Sequence, residues 1–137
     1  MKVKVIKFKE NVKLPFRAHY NDAGADVFST GDYILHAHET IKIPLGFGIE
    51  LPDGFQCNVY PRSGLSSKGI ISQLPPIDSG YTGEIHAIIT NTTDNDYIIQ
   101  ENDKVAQLVV TPIVLVDFTD ELGEERGANG FGSTDKK

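Results

Sequence analysis

The chain has 137 residues, of which 39% are hydrophobic and 23% charged, and its formal net charge is −6. This length and composition are typical of one globular domain. The negative charge excludes long nucleic acid as a partner, since phosphate-backbone binding needs an extended basic surface, and no apolar run approaches the length of a membrane span. The lone cysteine, Cys57, permits no internal disulfide, so we expect a reducing compartment, the cytoplasm.

Short alternating runs separated by turn residues predict a series of β-strands. In chain order the runs are VKVIKF, ADVFS, TIKIPLGFGIELP, FQCNVYP, EIHAIITN, YIIQ and VAQLVVTPIVLVDF. The pair Asp53-Gly54 predicts a tight turn. Only SGLSSKG favours a helical turn or two, with Ser63 as N-cap and Gly69 as stop. We therefore predict an all-β fold, an antiparallel sandwich or barrel, rather than βαβ units.

The composition changes after Phe118. The segment TDELGEERGANGFGSTDKK contains almost nothing apolar except Leu122 and Phe131, so it cannot offset its own ordering entropy. We predict a β domain over residues 1–118 and a mobile arm over residues 119–137.

The stretch YPRSGLSSKG suits a phosphate group. Arg62 offers a rigid fork of donors, and Ser63 adds a hydroxyl near a helix start. We expect the backbone N–H groups from Ser63 to Ser66 to point toward the ligand. The alternative is that Ser63 caps the turn and Arg62 pairs with an acid.

The stretch PPIDSGYTGEI places Asp78 in a loop before a strand. A carboxylate in such a loop can hold a water molecule as a general base, and Tyr81 brings a flat ring close to it. The alternative is an ordinary hairpin, in which Asp78 caps the turn and Tyr81 packs on the sheet.

Other polar residues give weaker signals. Asp22 and Asp26 could help to bind a cation or could simply be solvated. Gln107 interrupts an apolar strand, so it needs hydrogen-bond partners or serves a ligand. The four histidines lack zinc-site spacing, and we expect His36 and His38 to share one face of a strand; the other two are His19 and His86.

Five stretches, taken in order, resemble the motifs of the homotrimeric dUTP diphosphatases (dUTPases). They are AGADVFS, PRSGLSSKG, IDSGYTGEI, ENDKVAQLVV and RGANGFGSTDKK, and the resemblance runs from about Ala23 to Thr134. The resemblance implies a jelly-roll-like, distorted antiparallel barrel with one short helix, a flexible C-terminal arm and active sites at the subunit interfaces of a trimer. It also implies Mg²⁺-dependent hydrolysis of dUTP to dUMP and pyrophosphate, which keeps uracil out of DNA and supplies dUMP for thymidylate synthesis.

The resemblance assigns roles to individual residues. Asp78 would be the base for the attacking water, and Asp26 would stand behind Mg²⁺ through water. Tyr81 would lie under the deoxyribose, and main-chain groups before Asp78 would contact uracil. Phe131 of a neighbouring arm would stack on the base. Further substrate contacts would come from Arg62, Ser63, Gly64, Ser72, Ile77, His86, Gln107, Arg126, Gly132, Ser133 and Thr134.

The chain departs from the family pattern before Asp78. Ser72 stands where many members have Asn, and Pro75 stands near a common Gly. Because proline removes a backbone donor and fixes φ, we expect uracil recognition to be redistributed. The arm has GANG in place of a more glycine-rich run, which should make it slightly stiffer.

Two other functions are weighed against this one. A dCTP deaminase, which resembles the same fold, would carry a catalytic glutamate at position 88 and usually Trp at position 81, where this chain has Ile88 and Tyr81. A non-catalytic trimeric regulator is the second alternative. The joint presence of Asp78, Arg126 and Phe131 argues against loss of catalysis but leaves an added signalling role open.

Overall fold

The computed structural model describes residues 1–121, and this part of the chain is almost entirely β-structure with one short helix, as predicted. The elements are β1 Lys4–Lys7, β2 Ala25–Phe28, β3 Tyr33–Leu35, β4 Thr40–Pro44, β5 Phe47–Glu50, β6 Phe55–Tyr60, α1 Ser63–Ser66, β7 Ile70–Ser72, β8 His86–Asn91, β9 Tyr97–Ile99 and β10 Lys104–Pro112.

The strands form four small antiparallel sheets around one apolar core. The strand orders are β2-β10-β6, β4-β8-β7, β1-β5 and β3-β9. Side chains alternate between the core and the surface along β8, as the period of two predicts. The largest fully buried apolar side chains are Phe47, Leu35, Ile43, Leu45, Ile85, Ile89 and Ile99.

Glycines with positive φ redirect the chain at two points. Gly46 (φ +80°) separates β4 from β5, so the apolar run over residues 40–51 forms two strands in different sheets. Gly54 (φ +89°) completes the predicted turn with Asp53. Since β5 pairs with β1 and β6 pairs with β10, that turn carries the chain from one sheet to another.

Two local predictions are wrong. The N-cap of α1 is Arg62, which is extended (φ −88°, ψ 140°) and makes no side-chain cap hydrogen bond, so Ser63 is already the first helical residue. His36 and His38 lie in the turn between β3 and β4, not on a strand, because the backbone reverses there and His38 has φ +60°. Each imidazole instead faces a carboxylate of the 92–96 turn.

The central position of β10 organises one sheet. Gln107 on β10 is opposite Asp26 on β2 and opposite Tyr60 on β6, so polar residues of three strands meet at one level. The strand ends at Pro112, earlier than the apolar run predicts, and residues 113–118 continue without strand pairing. Within residues 1–121, no helix has the length and hydropathy of a membrane span.

Candidate active site

An ion-paired cluster lies where β2, β10 and β6 meet. The carboxylate of Asp26 is only 18% exposed and faces two cations, Arg62 (Nε–Oδ1 3.3 Å) and Lys104 (Nζ–Oδ2 3.5 Å). Arg62 also donates from Nη1 to the Lys104 carbonyl at 3.4 Å. The pairing of Arg62 with an acid, one of the two alternatives from the sequence, is thus observed. It leaves further guanidinium N–H groups for a ligand, because Arg has five donors.

Lys104 is a member of this cluster that the sequence analysis missed. It lies in the stretch ENDKVAQLVV, three residues before Gln107, and its presence in that motif was the available signal. The Lys104 side chain is 43% exposed. The cluster therefore presents more positive than negative charge to solvent on a chain that is acidic overall.

Gln107 is held by the main chain. Its Nε2 donates to the Pro61 carbonyl at 2.9 Å. The Gln107 side chain also lies directly against Gly24, where a Cβ atom would collide with its amide. The glycine of the AGADVFS stretch therefore allows the Gln107 side chain to lie next to Asp26.

The loop after β6 has fewer free donors than the sequence analysis expects. The N–H groups of Leu65 and Ser66 both donate to the Arg62 carbonyl, at 3.1 and 2.9 Å. Within residues 1–121, the N–H groups of Ser63 and Gly64 have no protein acceptor. Nothing in that part of the chain lies within 4 Å of the position that a Cβ would take at Gly64, so a ligand can approach this backbone closely.

The segment that carries Asp78 runs beside β6, near the end of β6 that is far from Arg62. Ile77 exchanges both backbone hydrogen bonds with Cys57, at 2.8 and 3.1 Å. Asp78 is exposed, and its carboxylate has no hydrogen-bond or ion-pair partner among residues 1–121. Its carbonyl accepts from the Tyr81 N–H at 3.0 Å, which closes the IDSGY turn.

Tyr81 forms the wall between two shallow recesses. The recesses have volumes of about 150 and 230 Å³ and share Ile77 and Tyr81 in their linings; His86 lines the first and Asp78 the second. The Tyr81 hydroxyl donates to the Glu84 carbonyl at 2.6 Å, which fixes the direction of the ring. A flat aromatic surface therefore stands beside the free carboxylate.

Ser72 is buried in β7, and its hydroxyl oxygen has no partner among residues 1–121. Of the predicted substrate contacts within residues 1–121, Ser72 is the one that is buried. The predicted contacts Arg126, Phe131, Gly132, Ser133 and Thr134 lie outside the described residues.

The two clusters are well separated within one chain. Because Ile77 pairs with Cys57, Asp78 stands across from Gln56, and Arg62 lies six residues further along the chain. At about 3.3 Å per extended residue, roughly 20 Å separates the two levels. The recess lined by Arg62 and the recess lined by Asp78 share no lining residue. One copy of the chain brings Asp26, Arg62, Lys104 and Gln107 together but does not bring Asp78 to them.

Residues 1–121 contain no set of three or more His, Cys, Asp or Glu side chains placed to hold a metal ion. The Cys57 thiol is fully buried, and burial raises its pKa to about 12, so it is not a nucleophile at neutral pH.

Fold and site together define an all-β domain with two separate features. One is a cluster of hydrogen-bond donors around Arg62 that suits an anion, and the other is the unpaired carboxylate of Asp78. The dUTPase family model matches residues 10–135, and this chain belongs to the dUTPase family. It is 42% identical over 142 residues to the deoxyuridine 5'-triphosphate nucleotidohydrolase of Clostridium tetani, covering 99% of this chain and 97% of that protein. The corresponding protein of Paramecium bursaria Chlorella virus 1 is 41% identical over 134 residues, with 95% of both chains covered.

Solved structures agree with this assignment. A variant of the dUTPase from phage phi11 of S. aureus, described for its coordination of a structural Mg(II) ion, superposes with a TM-score of 0.84 at 27% identity, covering 92% of this chain and 99% of that one. A variant of the Staphylococcus bacteriophage 80alpha dUTPase with dUpNHpp gives a TM-score of 0.84 at 28% identity, covering 96% and 98%. The predicted jelly-roll-like β fold is thereby confirmed.

Proposed function

We propose that this chain hydrolyses dUTP to dUMP and pyrophosphate, with Asp78 as the general base. Membership of the dUTPase family supports the reaction. The observation that carries the role of Asp78 is its exposed carboxylate, which has no partner among residues 1–121 while the adjacent Ile77 is tied to β6. An unpaired carboxylate on an anchored backbone can accept a proton at a defined position.

The reaction needs one proton transfer and one displacement. Asp78 orients a water molecule and takes its proton as the water oxygen bonds to the α-phosphorus. The bond from that phosphorus to the bridging oxygen breaks, and pyrophosphate leaves with the electron pair. General-base catalysis of this kind contributes roughly 10²–10⁴-fold to the rate.

The cluster at the end of β6 provides the electrostatic part of the catalysis. Arg62 and the free N–H groups of Ser63 and Gly64 bind phosphate oxygens, and Gln107 adds its amide. Because Asp26 neutralises part of the cationic charge and fixes the guanidinium, the donors are in place before the leaving group becomes charged.

The residues fit a magnesium ion that arrives with the nucleotide. Asp26 is a single, largely buried carboxylate already paired with two cations, and Mg²⁺ commonly keeps its waters and binds substrate phosphates with one or two carboxylates nearby. Asp26 would hold the ion through water. When bound, Mg²⁺ would neutralise charge on the departing pyrophosphate.

The active site is proposed to form between copies of the chain in a homotrimer. The phosphorus atoms of one nucleotide lie much closer together than the roughly 20 Å between the levels of Asp78 and Arg62, estimated from strand rise. Asp78 of one copy would therefore face Arg62 of another. Residues 113–118 offer an apolar surface for assembly, with Val114 85% and Phe118 94% exposed, as expected for side chains that become buried between subunits.

The arm over residues 119–137 completes this proposal. Phe131 would stack on uracil, and base–aromatic stacking is worth about 1–3 kcal/mol. Arg126, Gly132, Ser133 and Thr134 would contact the phosphates as the arm closes over a neighbouring subunit's site.

We place the enzyme in the cytoplasm, or in a host's cytoplasm if it is viral, where a free cysteine such as Cys57 is usual.

Deamination of dCTP is disfavoured by the recess beside Tyr81. Ile88 is in its lining at the position where the related deaminases carry their glutamate, and an aliphatic side chain cannot transfer a proton. The recess supplies apolar surface there instead.

The test is pyrophosphate release from dUTP, dCTP, dTTP and UTP, each with Mg²⁺ and with a chelator. We expect release from dUTP in Mg²⁺ and little from the other three. No release from dUTP would refute the function, and comparable rates on UTP would remove the role of Tyr81 beneath the sugar. Conversion of dCTP to dUTP, followed by chromatography, would favour the deaminase.

A further inference from the structure

The segment just before Asp78 is stiff and has few backbone donors. Pro75 and Pro76 have no N–H and a fixed φ, and a residue that precedes proline is held extended. An extended proline-rich stretch forms no hydrogen bonds within itself, so its carbonyl groups need donors from elsewhere. The position of this segment therefore depends on a neighbouring element.

Asn58 on β6 supplies those donors. Its Nδ2 donates to the Leu74 carbonyl at 3.1 Å and to the Pro75 carbonyl at 3.3 Å. The Asn58 residue is only 8% exposed, so both bonds are shielded from water. A carboxamide has two N–H donors, and both are used on consecutive carbonyls. The next fixed point is the Cys57–Ile77 pair, immediately before Asp78.

Few backbone donors remain free in this segment. The N–H groups of Gln73 and Ile77 already donate to backbone carbonyls, at 2.8 Å each. Within residues 1–121, the N–H groups of Leu74 and Asp78 have no protein acceptor. The O4 position of uracil, like that of thymine, is an acceptor, whereas cytosine has an amino donor there. A fixed donor can therefore favour uracil and leave a mismatched pair with cytosine.

We infer that Asn58 is a positioning residue for base specificity. Its amide holds the carbonyls of Leu74 and Pro75, and thereby sets where the free Leu74 N–H and the Asp78 carboxylate meet the nucleotide. Asn58 supplies hydrogen bonds that fix this segment, because Pro75 and Pro76 have no backbone N–H with which to fix it. This inference rests on the proposed function, because it assumes that the Leu74–Asp78 segment lies against the base.

The experiment is Asn58→Asp, which keeps the size of the side chain but removes both donors. We expect kcat/KM for dUTP to fall by at least about tenfold, since small misplacements of reacting groups cost up to about 100-fold. The ratio of kcat/KM for dUTP to that for dCTP should also fall. Asn58→Ala removes the same donors without placing a carboxylate against two carbonyls, and it should lower the ratio in the same direction.

Asn91 provides a matched control. It is also buried, and its Nδ2 donates to the carbonyls of Leu35 at 3.0 Å and Asn95 at 2.7 Å. Asn91→Asp removes an equal number of donors outside the proposed site. It should lower the midpoint of urea unfolding while leaving the dUTP-to-dCTP ratio within about twofold of the unmodified chain, because mutations at distant sites act independently.

The outcomes separate the two proposals. If the unmodified chain does not release pyrophosphate from dUTP, the proposed function fails. If it does, and a folded Asn58 variant keeps the ratio of the unmodified chain, the positioning role of Asn58 is wrong. Failure of both Asn58 variants to fold, with Asn91→Asp folded, would make Asn58 a structural residue only and would also overturn the inference.

Discussion

The two ends of β6 hold functional side chains in opposite ways. At the end near Arg62, two ion pairs to Asp26 fix the charged side chains, and the Gln107 amide donates a hydrogen bond to the Pro61 carbonyl. Toward the other end, the pair of Cys57 with Ile77 and the Asn58 amide hold the backbone, while the Asp78 carboxylate has no partner within residues 1–121.

The difference follows from what each end has to do. A site that binds an anion benefits from donors fixed in advance, since reorganisation during the reaction would cost energy. A general base must instead keep its oxygens available for a proton. The two requirements conflict within one small cluster, because an ion pair that fixes a carboxylate also stabilises its charged form and weakens it as a base.

The sharpest test of the Asp78 end is Asp78→Asn. The amide cannot take a proton from water, so kcat for dUTP should fall by roughly 10²–10⁴-fold. Nucleotide affinity should change little, since the phosphate donors lie at the other end of β6. Steady-state kinetics and equilibrium binding of a non-hydrolysable dUTP analogue measure the two effects.

Asp94→Asn is the control for this variant. Asp94 is an exposed carboxylate on a different turn, and its one ion-pair partner among residues 1–121 is His38, at 2.7 Å. Its loss should leave kcat unchanged. A near-normal kcat in Asp78→Asn would mean that another group serves as base.

Mixing two inactive variants tests whether the ends act in different copies. In trimers that assemble at random from an equal mixture of Asp78→Asn and Arg62→Ala chains, a site that takes Asp78 from one copy and Arg62 from its neighbour is intact with probability one half times one half. Activity should therefore recover to about one quarter of that of the unmodified protein. Co-expression with two different tags and measurement of pyrophosphate release provides the number.

Each variant expressed alone is the baseline for that experiment. If mixed particles form and activity stays at the baseline, both groups belong to the same copy, and the interface proposal is wrong. The masses of the particles, measured on the same samples, would separate that result from a failure to assemble.

The sequence alone predicts most of the strands and the pairing of Arg62 with an acid as one of two alternatives. Alternation of apolar residues is a local property, so β8 and β6 follow from it directly. The turn at Asp53-Gly54 likewise follows from local backbone preference. Patterns of this kind report which face of a strand is buried.

Contacts between distant segments could not be predicted in the same way. Asp78 and Arg62 are 16 positions apart in the chain, and only the pairing of Cys57 with Ile77 shows that they stand at different levels of β6. The role of Asn58 was equally hidden, since a polar residue in an alternating strand suggests an exposed side chain. Its burial depends on the Leu74–Pro75 carbonyls, which arrive from another part of the fold.

The smallest predicted effect concerns the strand that anchors the Asp78 end. Burial raises the pKa of Cys57 from 9.0 to about 12, so between these values the folded chain keeps a proton that the unfolded chain loses. The stability associated with the protonated thiol is therefore fully present below pH 9 and declines as pH rises toward 12, by roughly 1 kcal/mol for each pH unit. Urea unfolding of the unmodified chain and of Cys57→Ala at pH 8, 9 and 10 isolates this contribution, because the other titrating groups are common to both. As pH rises, the free energy of unfolding should fall more steeply in the chain that retains Cys57. Parallel curves of unfolding free energy against pH would mean that the Cys57 thiol is open to solvent. The anchor of Ile77 on β6 would then be less rigid than the other end of the strand.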